Sequence, residues 1–238
     1  MYTIRQSLLF SQHMRELDIR NALRIYLNAT LEMDPTAMLV EEFGVCRGTV
    51  RVDFVVISET LRGFEIKSDQ DTLKRLPGQA VAYNRVFDTV TIVVGPRHLR
   101  AVENVVPPWW GILLFDAPSE GQPKLECFRL EAENPGLDPS ALVQLLWREE
   151  VLGLLEAKGL GAGMKSKPRR CLWEALSRSF ALTDLREMVR TQLKVRPDWR
   201  SGESRRLDGE MSRPSAKSSS FLAPRVHSRI RRYTSRPN

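Results

Sequence analysis

The sequence lacks the features of several protein classes. Its 238 residues contain no uninterrupted apolar run of roughly 18 residues, so we expect no transmembrane helix and no membrane partner. The three cysteines (Cys46, Cys127 and Cys171) are odd in number, far apart and without C-x-x-C spacing. This pattern argues against a disulfide framework or a zinc site and favours reduced thiols in the cytoplasm.

Positive charge is abundant but unevenly distributed. Residues 1–146 hold 15 Lys and Arg against 19 Asp and Glu, a net charge of −4, whereas residues 147–238 hold 21 against 10, a net charge of +11. Such asymmetry suggests a polyanionic partner for the C-terminal part, with a solvated basic surface as the plain alternative.

Hydrophobic periodicity predicts an α/β domain. Ile19, Leu23 and Leu27 stand one helical turn apart and predict an amphipathic helix. Three strand-like runs with short connections then favour an antiparallel meander, and they read VEEFGVCRG, TVRVDFVVI and LRGFEIKS. A helix beginning near Pro77 and buried strands at 88–95 and 110–115 complete the pattern. We therefore expect an α/β domain whose mixed sheet is covered by helices on both faces.

Beyond Asn134-Pro135-Gly136 the sequence becomes helical. Apolar stripes predict helices over 140–158, 170–180 and 183–193, the last beginning at a Thr183 cap. From residue 201 onward Arg and Ser dominate, which is typical of a disordered tail. The predicted organisation is an α/β domain over 1–132, a small basic helical region over 133–200 and a tail over 201–238.

The hairpin over residues 49–68 contains the most informative polar residues. Glu65 and Lys67 lie two positions apart and so share one face of a strand, while Asp53 interrupts an apolar run on the preceding strand. If Ser58-Glu59-Thr60 form the turn, Asp53 lies directly opposite Glu65; a two- or four-residue turn would shift this pairing.

Two neighbouring carboxylates repel each other, and a hard divalent cation such as Mg²⁺ or Mn²⁺ relieves that repulsion. A bound metal polarises a phosphoryl oxygen and activates water, and a nearby lysine stabilises the developing negative charge. Asp53, Glu65 and Lys67 thus meet the needs of phosphodiester hydrolysis. The alternative is an ordinary solvent-facing salt bridge between Glu65 and Lys67.

These residues resemble the PD-(D/E)XK nuclease superfamily, in which a helix and a β-meander carry an acid, an Asp and a (D/E)-x-K triplet. The matching segments are EEFG, VRVDFVVI, GFEIKSD, GQAVAY and TVTIVVG. The chain also looks similar to a bacterial family of small, largely uncharacterised proteins that carries EIKSDxDTLxRLPxQ. One departure is that the motif begins Val-Asp rather than Pro-Asp.

The resemblance implies a restriction-endonuclease-like mixed sheet flanked by helices, and a Mg²⁺-dependent nuclease activity with a specific set of site residues. Metal ligands would be Asp53, Glu65 and Glu42, with Glu41 as the less favoured choice for the last. Lys67 would be the catalytic lysine. Gln79 and Tyr83, at i and i+4 on one helix face, would support the site or contact the substrate backbone.

Basic residues outside this set could bind phosphates. Lys74 and Arg75 are close in sequence to the predicted site. The second group surrounds the C-terminal helices and comprises Lys165, Lys167, Arg169, Arg170, Arg178, Arg186 and Arg190.

DNA is the expected substrate, and a homodimer stays open because many such nucleases need two sites for a double-strand cut. Two alternatives also stay open, namely an inactive nucleic-acid-binding module of the same fold and a regulatory protein-interaction protein.

Asp69 and Asp71 could add to an acidic pocket, but capping of the following helix is the favoured interpretation.

Overall fold

Within residues 16–116 and 123–196, which are the part of the chain described by this computed structural model, six strands form one sheet. The predicted tail over 201–238 lies outside the described residues. Strand order in the sheet follows chain order. The strands are β1 (Met38–Val45), β2 (Val50–Ile57), β3 (Leu61–Lys67), β4 (Thr89–Val94), β5 (Gly111–Asp116) and β6 (Lys124–Arg129).

Both strand directions occur in the sheet. The first three strands form the predicted antiparallel meander, β3, β4 and β5 run parallel, and β6 returns antiparallel to β5. Parallel neighbours require crossover connections, and a helix lies in each of them. The predicted α/β class with a mixed sheet is confirmed.

Seven α-helices occur among the described residues. They are α1 (Glu16–Leu31), α2 (Leu76–Tyr83), α3 (Leu99–Glu103), α4 (Pro139–Leu142), α5 (Arg148–Ala157), α6 (Arg169–Ser179) and α7 (Leu182–Val195). Pro77 stands in the first turn of α2, where its missing N–H leaves no helical hydrogen bond unmade. None of these helices combines the length and hydrophobicity needed to cross a membrane.

Helices cover both faces of the sheet. On one face the α1 stripe of Ile19, Leu23 and Leu27 is fully buried against residues such as Phe54 and Phe64. Each such side chain contributes roughly 2 kcal/mol of hydrophobic stabilisation. This packing holds α1 beside the hairpin that carries the acidic residues.

The opposite face of the sheet carries α2, α3 and the C-terminal helices. A single apolar core extends there from Val40 of β1 to Leu193 of α7. The predicted helical C-terminal region is confirmed, and its helices share this core with the sheet. All described residues fall within one compact unit.

Two boundary predictions in the C-terminal region were wrong. The expected helix over 140–158 is interrupted, because Leu146 is extended and α5 begins only after Trp147. The break buries Leu146 and lets Glu150 accept a hydrogen bond from the Trp147 backbone N–H at 2.6 Å. Helix α7 begins at Leu182, so Thr183 lies inside the helix and does not cap it.

Candidate active site

The pairing of β2 with β3 determines where the acidic residues meet. Phe54 faces Phe64 and Ile57 faces Leu61, which is the register predicted from a three-residue turn. The pairing ends at Phe54 and Phe64, and Asp53 and Glu65 are the next residues on the two strands. Asp53 Oδ2 accepts a hydrogen bond from the backbone N–H of Ile66 at 2.7 Å, so its side chain is anchored to the strand that carries Glu65 and Lys67.

Glu42 occupies an irregular position in β1. Its φ of 55° lies in the left-handed region, which side-chain-bearing residues rarely adopt. The same apolar core nevertheless contains the side chains of Val40, Phe43 and Val45. Side chains three positions apart in a regular strand point to opposite faces, so the alternation of β1 must shift by one residue at Glu42. The Glu42 carboxylate pairs with Arg51 of β2 at 3.3 Å.

Glu65 is buried and accepts hydrogen bonds from three side chains. Lys67 Nζ and Gln79 Nε2 both donate to Oε1, the latter at 2.6 Å, and Tyr83 OH lies 2.7 Å from Oε2. Only 2% of Glu65 and 5% of Lys67 is exposed. The alternative of a solvent-facing salt bridge is therefore wrong, because α2 covers the pair.

Tyr83 is shared between two acceptors. Its hydroxyl also lies 2.6 Å from the backbone oxygen of Arg51, and a phenol has a single proton to donate. Burial, together with the Glu65 carboxylate, raises the pKa of Tyr83 well above its usual range. The hydroxyl therefore remains a protonated donor that connects α2 with β2 and β3.

The electrostatics around Asp53 reflect crowding of negative charge. Burial, and next the neighbouring Glu65 carboxylate, raise the pKa of Asp53 to about 6. Arg20 of α1 opposes this effect, since its Nη2 lies 2.7 Å from Asp53 Oδ1 and 2.8 Å from Glu42 Oε1.

Arg20 is a site residue that the sequence motifs did not predict. A signal for it exists, because Arg20 and Arg24 each follow a residue of the buried α1 stripe and stand one turn apart. Arg24 pairs with Glu41 at 2.8 Å. Glu41 also lies 3.7 Å from Arg20 Nη1, so both arginines of α1 contact it, while Glu42 shares Arg20 Nη2 with Asp53.

A cavity of about 750 Å³ opens over these residues. It brings together most of the predicted set, because its lining includes Glu42, Asp53, Glu65, Lys67, Gln79, Lys74 and Arg75. Lys74 and Arg75 are exposed at its edge. The lining therefore combines carboxylates with cations, because Arg20 and the buried Lys67 belong to it as well.

The C-terminal basic residues are not in this lining. Lys165 pairs with Glu156 at 3.3 Å, Arg169 stacks on Trp173, and Arg170 lines a separate groove of about 200 Å³. Lys167 lies in the exposed segment before α6.

Two C-terminal arginines considered for phosphate binding have structural partners. Arg186 lies 2.7 Å and Arg190 3.9 Å from the buried carboxylate of Asp88, and these ion pairs hold α7 against the sheet.

The prediction that Asp69 and Asp71 cap the following helix was wrong. The Asp71 carboxylate accepts from the Ser68 N–H and hydroxyl, and that of Asp69 accepts from the Arg97 N–H.

The donor set fits a metal ion that retains several water ligands. Described residues include no group of three or more His, Cys, Asp or Glu side chains arranged to hold a metal. Mg²⁺, however, is usually bound by one or two carboxylates and completes its shell with water. Asp53 and Glu65 supply that pair. Gln79 Oε1, which is buried without a hydrogen-bond partner, is a further oxygen beside them.

Comparison with known proteins identifies a family. The family model for "Bacteriophage P4 protein cII" matches residues 10–214. "Protein cII" of Enterobacteria phage P4 is 29% identical over 183 residues, which is 77% of this chain and 68% of the phage protein. No solved structure gives a significant match. Since the family model covers well over half of the sequence, the chain belongs to the bacteriophage P4 protein cII family.

Proposed function

We propose that this protein is a divalent-metal-dependent nuclease that hydrolyses phosphodiester bonds, with DNA as the expected substrate. The observation that carries the proposal is the meeting of Asp53, Glu65 and Lys67 on two neighbouring strands at the floor of one cavity. Their resemblance to the PD-(D/E)XK pattern supports the same assignment. Mg²⁺ or Mn²⁺ is the proposed cofactor.

Asp53 and Glu65 would hold the metal, which when bound supplies Lewis-acid activation of water and of the phosphoryl group. The Ile66 N–H orients the Asp53 carboxylate, and Gln79 with Tyr83 orients that of Glu65. Because these hydrogen bonds already orient the two carboxylates, the site would need little rearrangement when a metal ion binds.

Lys67 would act on the substrate side of the site. Its ammonium is held beside Glu65, where it can hydrogen-bond to the attacking water or to a phosphoryl oxygen. Burial of this ammonium strengthens its interaction with negative charge that develops at phosphorus.

Lys74 and Arg75 would bind the nucleic-acid backbone. Both side chains are exposed at the edge of the cavity, where a phosphate next to the reacting one would lie. Such contacts release condensed counterions, so the affinity for nucleic acid should fall steeply as salt increases.

A catalytically inactive nucleic-acid-binding module is the second candidate. It is favoured by the neutralisation of both carboxylates within the protein, because Glu65 accepts from Lys67, Gln79 and Tyr83 while Asp53 is paired with Arg20. A cluster satisfied in this way is stable without metal.

Cleavage assays distinguish the two candidates. Purified protein is incubated with circular double-stranded DNA, single-stranded DNA or RNA, with Mg²⁺, Mn²⁺ or a chelator. The wild type is compared with Asp53→Asn and Lys67→Met, and with Lys124→Met as a control that removes an exposed lysine of β6. Circular dichroism verifies that each variant is folded.

The nuclease proposal requires metal-dependent cleavage that Lys124→Met retains and both site variants reduce at least about a hundredfold. Salt-sensitive binding without cleavage of any substrate would support the inactive module instead. Cleavage that survives both site substitutions would refute the site assignment.

A further inference from the structure

A single nitrogen atom of Arg20 stands among three carboxylates from three elements. Its Nη2 lies 2.7 Å from Asp53 on β2, 2.8 Å from Glu42 on β1 and 3.3 Å from Glu16 on α1. One amino group has two protons, so it cannot donate a full hydrogen bond to all three oxygens. Positive charge surrounded by carboxylate oxygens is the environment that a bound cation has.

The rest of Arg20 is fixed by packing. Its side chain is 14% exposed, and its guanidinium lies over the Phe54 ring at 5.2 Å from the centroid. Burial by itself lowers the pKa of Arg20, but the Asp53 and Glu42 carboxylates hold it above its ordinary value. Arg20 is therefore a permanent cation beside the carboxylate that would bind a metal.

We propose that Arg20 is an internal cation which a divalent metal must displace from Asp53, and that this residue thereby sets the metal affinity of the site. The inference rests on the proposed metal-dependent function. A guanidinium and a metal ion cannot both contact Asp53 Oδ1 closely, because their charges repel and they need the same lone pairs. While no metal is bound, Arg20 relieves the repulsion between the acidic residues.

Displacement leaves Arg20 on the wall of the same cavity. The residue lines the cavity along with Lys74 and Arg75, so its freed guanidinium stands where a nucleic-acid phosphate would enter. Guanidinium groups bind phosphate through paired hydrogen bonds. One residue would thus exchange a carboxylate partner for a phosphate partner when metal and substrate bind.

Metal titration of the full-length protein tests this proposal. Calorimetry with Mn²⁺ and with Mg²⁺ compares the wild type with Arg20→Met and Arg20→Lys. Arg24→Met is the matched control, since Arg24 lies one turn further along α1, pairs with Glu41 and does not line the cavity. Thermal unfolding with and without metal verifies folding and gives a second readout.

We expect Arg20→Met to bind metal about tenfold more tightly or better, because no charge-assisted hydrogen bond has to be broken. Arg20→Lys should be intermediate, since one ammonium cannot replace the guanidinium geometry. Arg24→Met should stay within about twofold of the wild type. Metal should also raise the unfolding temperature of Arg20→Met more than that of the wild type.

Equal or weaker metal binding by a folded Arg20→Met variant would overturn the displacement proposal and leave the nuclease proposal intact. If neither the wild type nor any variant bound metal, both proposals would fail. A purely structural role for Arg20 would weaken metal binding on its removal, so tighter binding is specific to displacement.

Discussion

Replacing Asp53 by Asn should change how the stability of the protein depends on pH. Burial, followed by the Glu65 carboxylate, raises the pKa of Asp53 from its ordinary 3.8 to about 6. A carboxyl group with a raised pKa contributes stability while it is protonated, fully below about pH 4, and that contribution is lost as the pH rises through 6. The difference of about two pH units corresponds to about 3 kcal/mol.

The free energy of unfolding of Asp53→Asn, relative to the wild type, should therefore rise by up to about 3 kcal/mol between about pH 4 and pH 7. Urea unfolding of both proteins at several pH values, with a chelator present, measures this difference. Titrating groups that do not interact with Asp53 contribute equally to both proteins and cancel. An amide can accept only one of the two bonds from Ile66 and Arg20, which adds an offset that does not vary with pH.

A difference in unfolding free energy that did not vary with pH would refute the raised pKa of Asp53 and its explanation by burial and by the neighbouring Glu65 carboxylate.

The raised pKa of Asp53 also has a consequence for metal binding. Because a proton must leave Asp53 before a metal can bind, the apparent metal affinity should rise up to about tenfold per pH unit below 6 and level off above it. Affinity independent of pH in this range would exclude Asp53 as a ligand.

Substitutions at three further positions test other parts of the structure, each by urea unfolding. Glu42→Gly and Glu42→Ala both remove the carboxylate, but the glycine variant should be more stable by about 1 kcal/mol because of the positive φ at this position; equal stability would contradict the strain. Arg186→Met should cost about 2 to 3 kcal/mol, since buried Asp88 loses the nearer of its two arginine partners, at 2.7 Å, and keeps only Arg190 at 3.9 Å and the Leu61 N–H; a loss below about 1 kcal/mol would mean that α7 is held by its apolar contacts. Tyr83→Phe should cost about 1.5 to 3 kcal/mol by removing a donor to Glu65; no loss would indicate that the hydroxyl does not stabilise the folded protein.

Local signals predicted much of the fold. The α1 stripe, Pro77 at the start of α2 and the three-residue turn at Ser58–Thr60 all depend on neighbours in sequence, and each agrees with the structure. The register between β2 and β3 could be predicted because turn length alone determines which residues face each other.

Long-range contacts explain the structural features that the sequence did not predict. The interruption near Trp147 depends on the burial of Leu146 against the sheet, which a helical stripe does not reveal. Helix α7 likewise begins before Thr183, and ion pairs from Arg186 and Arg190 to Asp88 hold it against the sheet. Sequence alone made these arginines candidates for phosphate binding, because their partner is about a hundred residues away.

The sequence by itself determined the order of helices and strands through β5, the mixed sheet and the β2–β3 register that places Asp53 beside the strand of Glu65 and Lys67, because periodicity and turn length are local properties of a chain. Only the tertiary structure decided that Glu65 and Lys67 are buried beneath α2 and that Arg20 of α1 lies between Glu42 and Asp53. Those features depend on how two helices pack on opposite faces of one sheet. Packing of this kind sets the burial and charge of each carboxylate, and no short stretch of sequence specifies it.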